Sequence, residues 1–168
     1  MTTASLRGML TKGAPGATHP EGALHLVALG HLERTEAQVD VIKVLIAEDN
    51  AAYRQSLYRM LREEEGIEVL EPAGDGREAV EKSALLQPDV VLMDVDMPEG
   101  GGLWATRAIR EQCPHMKVII LSLHSGEAFR TWAQQVGATA FLSKDVDPET
   151  IIRAIRAAGD VTAHLFPG

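Results

Sequence analysis

Five short apolar runs, each ending on polar or charged residues and each followed by a stretch of helical periodicity, organise the sequence between residues 41 and 159. Val41, Ile42, Val44, Leu45 and Ile46 lead into Glu48, Asp49 and Asn50, and Ile67 to Leu70 forms the second run. Asp89-Val90-Val91-Leu92-Met93 leads directly into Asp94, Val118 to Leu121 hands over Ser122, and Ala140-Phe141-Leu142 leads to Lys144. Runs this short and this apolar read as strands buried on both faces, as in a parallel sheet covered by helices on either side.

The intervening segments supply those helices. Asn50 is placed to cap one that carries Tyr53, Leu57, Met60 and Leu61 and is stopped by Gly66. Gly74, Asp75 and Gly76 make a turn before a helix marked by Ala79, Val80, Ala84 and Leu86, which ends before Pro88. Pro98, Gly100, Gly101 and Gly102 predict a loop ahead of a helix with Leu103, Thr106 and Ile109, closed by Cys113 and Pro114. Phe129, Trp132, Ala133 and Val136 describe a stripe ended by Gly137. Pro148 opens the last helix, with Ile151, Ile152, Ile155 and Ala158 facing inward and Gly159 beyond its end.

Strict strand and helix alternation in one small domain predicts an α/β fold, a doubly wound five-stranded parallel sheet with strand order 2-1-3-4-5. In such a sheet functional groups gather beyond the carboxyl ends of the strands. Glu48, Asp49, Asp94, Ser122 and Lys144 all follow strand ends, so the fold would bring them to one edge. Residues 1–40, rich in Gly, Ala, Thr and His, read as a flexible extension with one helical turn near Leu24 to Leu32; residues 41–159 are the domain and 160–168 a tail.

Composition narrows the function classes. Sixteen Lys and Arg against 24 Asp and Glu give a formal charge of −8, which repels phosphate backbones and anionic membranes and argues against direct nucleic-acid binding. The stretch Gly22 to Leu32 is too short to span a bilayer, so no membrane association is expected. A single cysteine, Cys113, excludes an internal disulfide and fits a reducing cytoplasm.

Carboxylates crowded at about 4 Å repel by about 4 kcal/mol per pair at an effective dielectric near 20. Hard oxygen ligands on an open edge suit Mg²⁺ as the compensating cation, whereas zinc would want His or Cys. A carboxylate beside such a cation, with a hydroxyl and an ammonium nearby, is equipped to attack a phosphoryl group. Asp94 is best placed to be that nucleophile, with Ser122 bonding a phosphoryl oxygen and Lys144 pairing with Asp94 or with the phosphoryl group.

Four segments, Lys43-Val-Leu-Ile-Ala-Glu-Asp-Asn50, Val91-Leu-Met-Asp-Val-Asp-Met-Pro98, Ile120-Leu-Ser122 and Ala140-Phe-Leu-Ser-Lys144, resemble the receiver domain of two-component response regulators. The resemblance covers roughly residues 41–159 and implies a flavodoxin-like fold. It implies a phosphorelay function: transfer from a sensor histidine kinase to Asp94, and a conformational switch that controls an output protein or a homodimer. It further implies Mg²⁺ ligation by Asp49, Asp94 and the backbone carbonyl of Asp96, with Glu48 acting through water, and switch positions at Ser122 and Phe141. Such a domain is not an enzyme beyond catalysing its own phosphorylation and dephosphorylation.

Some positions differ from the commonest receiver pattern. Met97-Pro-Glu-Gly-Gly-Gly102 lacks a loop Asp, and Asp145 stands where many receivers have proline. Leu-Ser-Leu-His124 resembles the branch that usually carries a C-terminal helix-turn-helix, yet residues 160–168 are too few for one. A rival reading is a haloacid-dehalogenase-type phosphatase, since Asp94-Val-Asp96 after a strand also suits that family. Pro98 and the position of the acidic pair ahead of the lysine count against it. A nucleotide-binding domain is disfavoured because no glycine-rich phosphate loop follows the first strand.

Overall fold

The apolar runs become strands β1 (Ile42–Ala47), β2 (Ile67–Val69), β3 (Val90–Asp94), β4 (Lys117–Ser122) and β5 (Ala140–Ser143). They alternate with helices α1 (Ala51–Arg62), α2 (Gly76–Leu86), α3 (Gly101–Gln112), α4 (Glu127–Gln135) and α5 (Pro148–Gly159). The structure, a computed structural model, describes residues 41–98, 101–124 and 126–160. The expected extension over residues 1–40, its helical turn and residues 161–168 lie outside the described residues.

All strands are parallel, in the order β2-β1-β3-β4-β5. Alternate residues of the central strands feed two cores. Leu45, Val91, Met93, Val118 and Ile120 pack with Ala79 of α2, Ala105 and Ile109 of α3, and Ala133 of α4. Val44, Ile46, Leu92, Ile119 and Leu121 pack on the other face with Leu57 and Leu61 of α1 and with Ile151, Ile152 and Ile155 of α5. Each such aliphatic side chain gains about 1.5–3 kcal/mol on leaving water, so the two-sided burial of β3 and β4 is what fixes the register of the strand ends.

Asn50 caps α1 as expected, its side chain accepting the Tyr53 N–H, and Asp75 and Asp147 do the same for α2 and α5. Several local expectations are corrected. Ala84 is exposed and Ser83 is buried, because Gly76, Ala79 and Ser83 follow the helical repeat that faces the sheet and α3, whereas Ala84 is rotated off it. Gly101 and Gly102 belong to the first turn of α3 rather than to the preceding loop. Gly159 is the last residue of α5, not beyond it: the Asp160 N–H still reaches the Arg156 carbonyl at 3.0 Å.

The α4 stripe is also narrower than its periodicity suggests. Only Ala133 is buried, while Trp132 is 48% exposed. The sheet ends at β5, whose four residues are all only partly covered, so α4 lies over an edge with little area to bury.

Candidate functional site

β1 carries the chain to Glu48 and Asp49, where the parallel bridge of Ala47 to Ala73 and the Glu48 N–H to Ala73 carbonyl bond (3.0 Å) hold the strand end. Glu48 is buried and Asp49 exposed. Asn50 donates its backbone N–H to Glu48 Oε1 at 3.1 Å, and Arg54 of α1 donates to the carbonyls of Glu48 and Asp49. The acidic turn is thereby clamped from its own following helix. Arg54 was not singled out from sequence, although a signal existed: a cation in the first turn of a helix opposes the helix dipole and needs another reason to be there.

Asp94 ends β3, the strand between β1 and β4, and is 3% exposed. Its register partner is Leu121, which places Ser122 one residue beyond; Ser122 in turn pairs with Ser143, which places Lys144 one residue beyond that. The Lys144 N–H bonds the Ser122 carbonyl at 2.9 Å, and the side chain then reaches back across the strand ends. Its Nζ donates to Glu48 Oε2 at 2.7 Å and to Asp94 Oδ1 at 3.0 Å, and it lies 5.0 Å from the centre of the Tyr53 ring. Three elements far apart in sequence thus share one partly buried ammonium.

Ionisation follows from this packing. Burial pushes the Glu48 carboxyl up, reinforced by the neighbouring Asp94 charge and only partly offset by the Lys144 hydrogen bond. Burial pulls the Lys144 ammonium down, but the bonds to Glu48 and Asp94 together outweigh it, and the net shift is upward. Tyr53, partly buried beside these groups, is raised by desolvation first and by the nearby carboxylates as well.

One carboxylate oxygen from each of Glu48, Asp49 and Asp94 lies within 4.8 Å of the others. The donor set is all oxygen, and the exposed Asp49 leaves one side open to water, so these residues fit a small hard cation that keeps part of its hydration. Asp96 stands apart from the three: its N–H donates to Asp94 Oδ1 at 3.3 Å and its side chain turns to His124 Nε2 at 3.3 Å. Ser122 is fully buried, and its Oγ accepts the His124 N–H at 3.0 Å. Phe141, half-buried on β5, packs against the core on the α4 side, with the Arg130 guanidinium 5.8 Å from its ring centre. A concavity of about 340 Å³ lined by Asn50, Tyr53, Leu123, Lys144 and Asp145 opens beside the lysine. The role of His124 as a junction was not legible in the sequence, where only its place two residues past a strand end marks it.

Comparison with known proteins agrees with this geometry. The family model described as response regulator receiver domain matches residues 44–156. The transcriptional regulatory protein DegU of Brevibacillus brevis is 34% identical over 75% of this chain and 53% of its own length. The response regulator GacA of Pseudomonas aeruginosa is 38% identical over 76% of this chain and 59% of its own. The matched region thus spans only a little over half the length of these curated relatives. Among solved structures, the response regulator domain of Thermotoga maritima CheB superposes with a TM-score of 0.67 at 32% identity, covering 72% of this chain and 98% of that one. A LuxR-family two-component response regulator from Aurantimonas sp. SI85-9A1 gives a TM-score of 0.67 at 31% identity, over 70% and 84% of the two chains.

Proposed function

The chain belongs to the response regulator receiver domain family, and from that membership we propose that Asp94 accepts a phosphoryl group from a sensor histidine kinase, with Mg²⁺ held by Asp49, Asp94 and the Asp96 carbonyl and with Glu48 in support. The observation that carries this reading is the Lys144 ammonium bonded to both buried carboxylates, Glu48 and Asp94, beside the exposed Asp49. An Asp94 oxygen forms a bond to phosphorus while the bond from phosphorus to the donor imidazole nitrogen breaks, and that nitrogen keeps the electron pair. Mg²⁺, when bound, supplies charge neutralisation on the phosphoryl oxygens. Lys144 exchanges its bond to Asp94 for one to the phosphoryl group, and the Ser122 hydroxyl donates to a phosphoryl oxygen. The concavity beside Tyr53 and Leu123 leaves this edge open to a donor.

Turning Ser122 toward the phosphoryl group vacates space for Phe141 to turn inward, which shifts a pre-existing equilibrium toward a state that controls an output protein or a homodimer. No helix among the described residues is long and apolar enough to cross a membrane, and a cytoplasmic setting suits a histidine kinase as donor.

Incubation with acetyl phosphate and Mg²⁺ is expected to add one hydroxylamine-labile phosphoryl group, read by intact-mass spectrometry, with acetate leaving. Chelation abolishes the label, and so does Asp94→Asn. Asp49→Ala removes a direct metal ligand and is expected to weaken Mg²⁺ binding by at least the roughly tenfold typical of losing an outer-shell partner. Undiminished Mg²⁺-dependent labelling of Asp94→Asn refutes the assignment, and multiple turnover of a small phosphate ester points to a phosphatase instead.

We further propose that residues 1–40 are dispensable for both fold and phosphorylation, since their composition, rich in Gly, Ala, Thr and His, offers little to bury and every residue proposed for the site lies between Glu48 and Lys144. Their deletion is expected to leave labelling intact and to move the melting temperature by less than about 4 °C, the shift that ~1 kcal/mol produces in a domain of this size. A larger drop, measured by thermal unfolding, places those residues within the folding unit.

A further inference from the structure

α4 is weakly held along its length and weakly capped at its start. Its only buried residue is Ala133, and Gly126 at its N-terminal cap offers no side-chain hydrogen bond. What meets its first turn is an aromatic stack. The His124 ring lies flat on Phe129, with centroids 4.5 Å apart and planes at 7°, and Phe129 meets Trp132 edge-on at 5.3 Å and 71°. The same histidine donates its backbone N–H to Ser122 Oγ and faces Asp96 Oδ2 through Nε2. One residue therefore touches the hydroxyl at the end of β4, the loop two residues past Asp94, and the outer helix.

The solvent exposure of this stack argues that it is not there for burial: Trp132 is 48% exposed and the His124 side chain likewise 48%. A flat histidine on phenylalanine gains its stability from ring contact, a small contribution beside that of a buried aromatic. A contact of that size is small enough to be remade when its neighbours move. It also ties the orientation of α4 to whatever moves the backbone at residue 124.

We propose that His124 is a positioning residue that couples Ser122 and the loop after Asp94 to helix α4 through its stack on Phe129. This rests on the assignment of Asp94 as phosphoryl acceptor. When the Ser122 hydroxyl turns to donate to a phosphoryl oxygen, its oxygen leaves the His124 N–H, the backbone at His124 is released, and the ring carries Phe129 and the first turn of α4 with it. Trp132, edge-on to Phe129, changes its surroundings as a result. The ring, rather than the polar contact to Asp96, is the transmitting part, because the Asp96 contact is half-exposed and of the kind worth little in water.

The chain's two tryptophans are Trp104 and Trp132, so Trp104→Phe makes Trp132 the only indole reporter. In that background, full-length protein is phosphorylated with acetyl phosphate and Mg²⁺, occupancy is fixed by intact mass, and Trp132 emission is recorded before and after. The parent is expected to show a phosphorylation-dependent change. His124→Gln, which keeps a polar end but loses the ring, is expected to label normally while retaining less than about half of that change. His124→Phe, which keeps the ring and loses the polar contact, is expected to retain most of it. An unaltered response in His124→Gln, loss of the response in His124→Phe, or no response in a fully labelled parent each overturns the coupling. Absence of label in the parent defeats the phosphoryl assignment itself, and with it this inference, so the two failures are told apart by mass alone.

Discussion

Replacing Lys144 with methionine is expected to destabilise the metal-free domain by about 3 kcal/mol, the low end for removing one partner of a buried charge pair. Methionine keeps the apolar stem but leaves Glu48 and Asp94, side chains 2% and 3% exposed, without the ammonium that now bonds both. Urea unfolding in the presence of a chelator measures the loss. Mg²⁺ is expected to narrow the deficit, because a site stripped of its lysine binds a cation more tightly and binding to the folded state adds to stability.

The pH dependence has a defined sign. In the natural protein Lys144 is raised in the fold, so its contribution is present below its unfolded value of 10.5 and is lost as pH rises through the folded one. Glu48 is raised too, so its ionised form is a cost that grows as pH climbs past 4.5. Without Lys144 the hydrogen bond that lowers Glu48 is gone and its folded value climbs further. The folded variant then holds a proton that the unfolded chain has released, and its stability deficit shrinks as pH falls, being smaller near about pH 5 than near about pH 8. A deficit below about 1 kcal/mol, unchanged by pH and by Mg²⁺, is the result that removes the buried pair from any role in stability.

Gly102→Ala is expected to be at least as disruptive, for a reason unconnected with charge. A Cβ at Gly102 would sit 1.7 Å from the Asp94 carbonyl oxygen and 2.9 Å from Val95 Cα, and all the nearest atoms are backbone. The chain there is held by the Gly102 N–H to Val95 carbonyl bond at 3.0 Å and by the Thr106 hydroxyl on the Gly102 carbonyl at 2.7 Å. The first turn of α3 and the end of β3 must therefore part, and a cost of about 3 kcal/mol or more is expected, well above the ~1 kcal/mol that alanine gains over glycine in a helix. Labelling of Asp94 is expected to fall with stability, since its own carbonyl is what moves. Gly159→Ala provides the contrast. The three atoms nearest to a Cβ there are all side-chain atoms of Ile42, at 2.7–2.9 Å, so a side chain rather than the backbone must give way and a smaller loss is expected. Thermal unfolding of the two variants side by side tests the distinction, and equal stabilities of Gly102→Ala and the natural protein contradict it.

The sheet order and the placing of Glu48, Asp49, Asp94, Ser122 and Lys144 at strand ends were legible in the sequence, because burial on two faces leaves an unbroken apolar run and its end is where polarity resumes. Strand boundaries fell within a residue or two for the same reason, whereas α1 ends at Arg62, short of the Gly66 expected to stop it. What the one-dimensional pattern misplaced were neighbours within a helix: Ser83 rather than Ala84 faces the core, and α4 buries one residue where four recur with helical spacing. Periodicity gives the face of a helix, but the area available to cover it is a property of the sheet edge it lies on.

The pairing of charges was decided only by the fold. Strand-end placement alone treats Glu48 and Asp49 alike, and only the fold shows that one is buried on the lysine and the other faces solvent. The same holds for Arg54 on the carbonyls of the acidic turn and for His124 between Asp96, Ser122 and Phe129. A strand end specifies which residues arrive at the edge, through local patterns of period 2 and 3.6 that any window of the chain carries. Which oxygen meets which cation depends on distances between segments some fifty residues apart, and those are set by the register of β1, β3, β4 and β5, a quantity no local pattern contains.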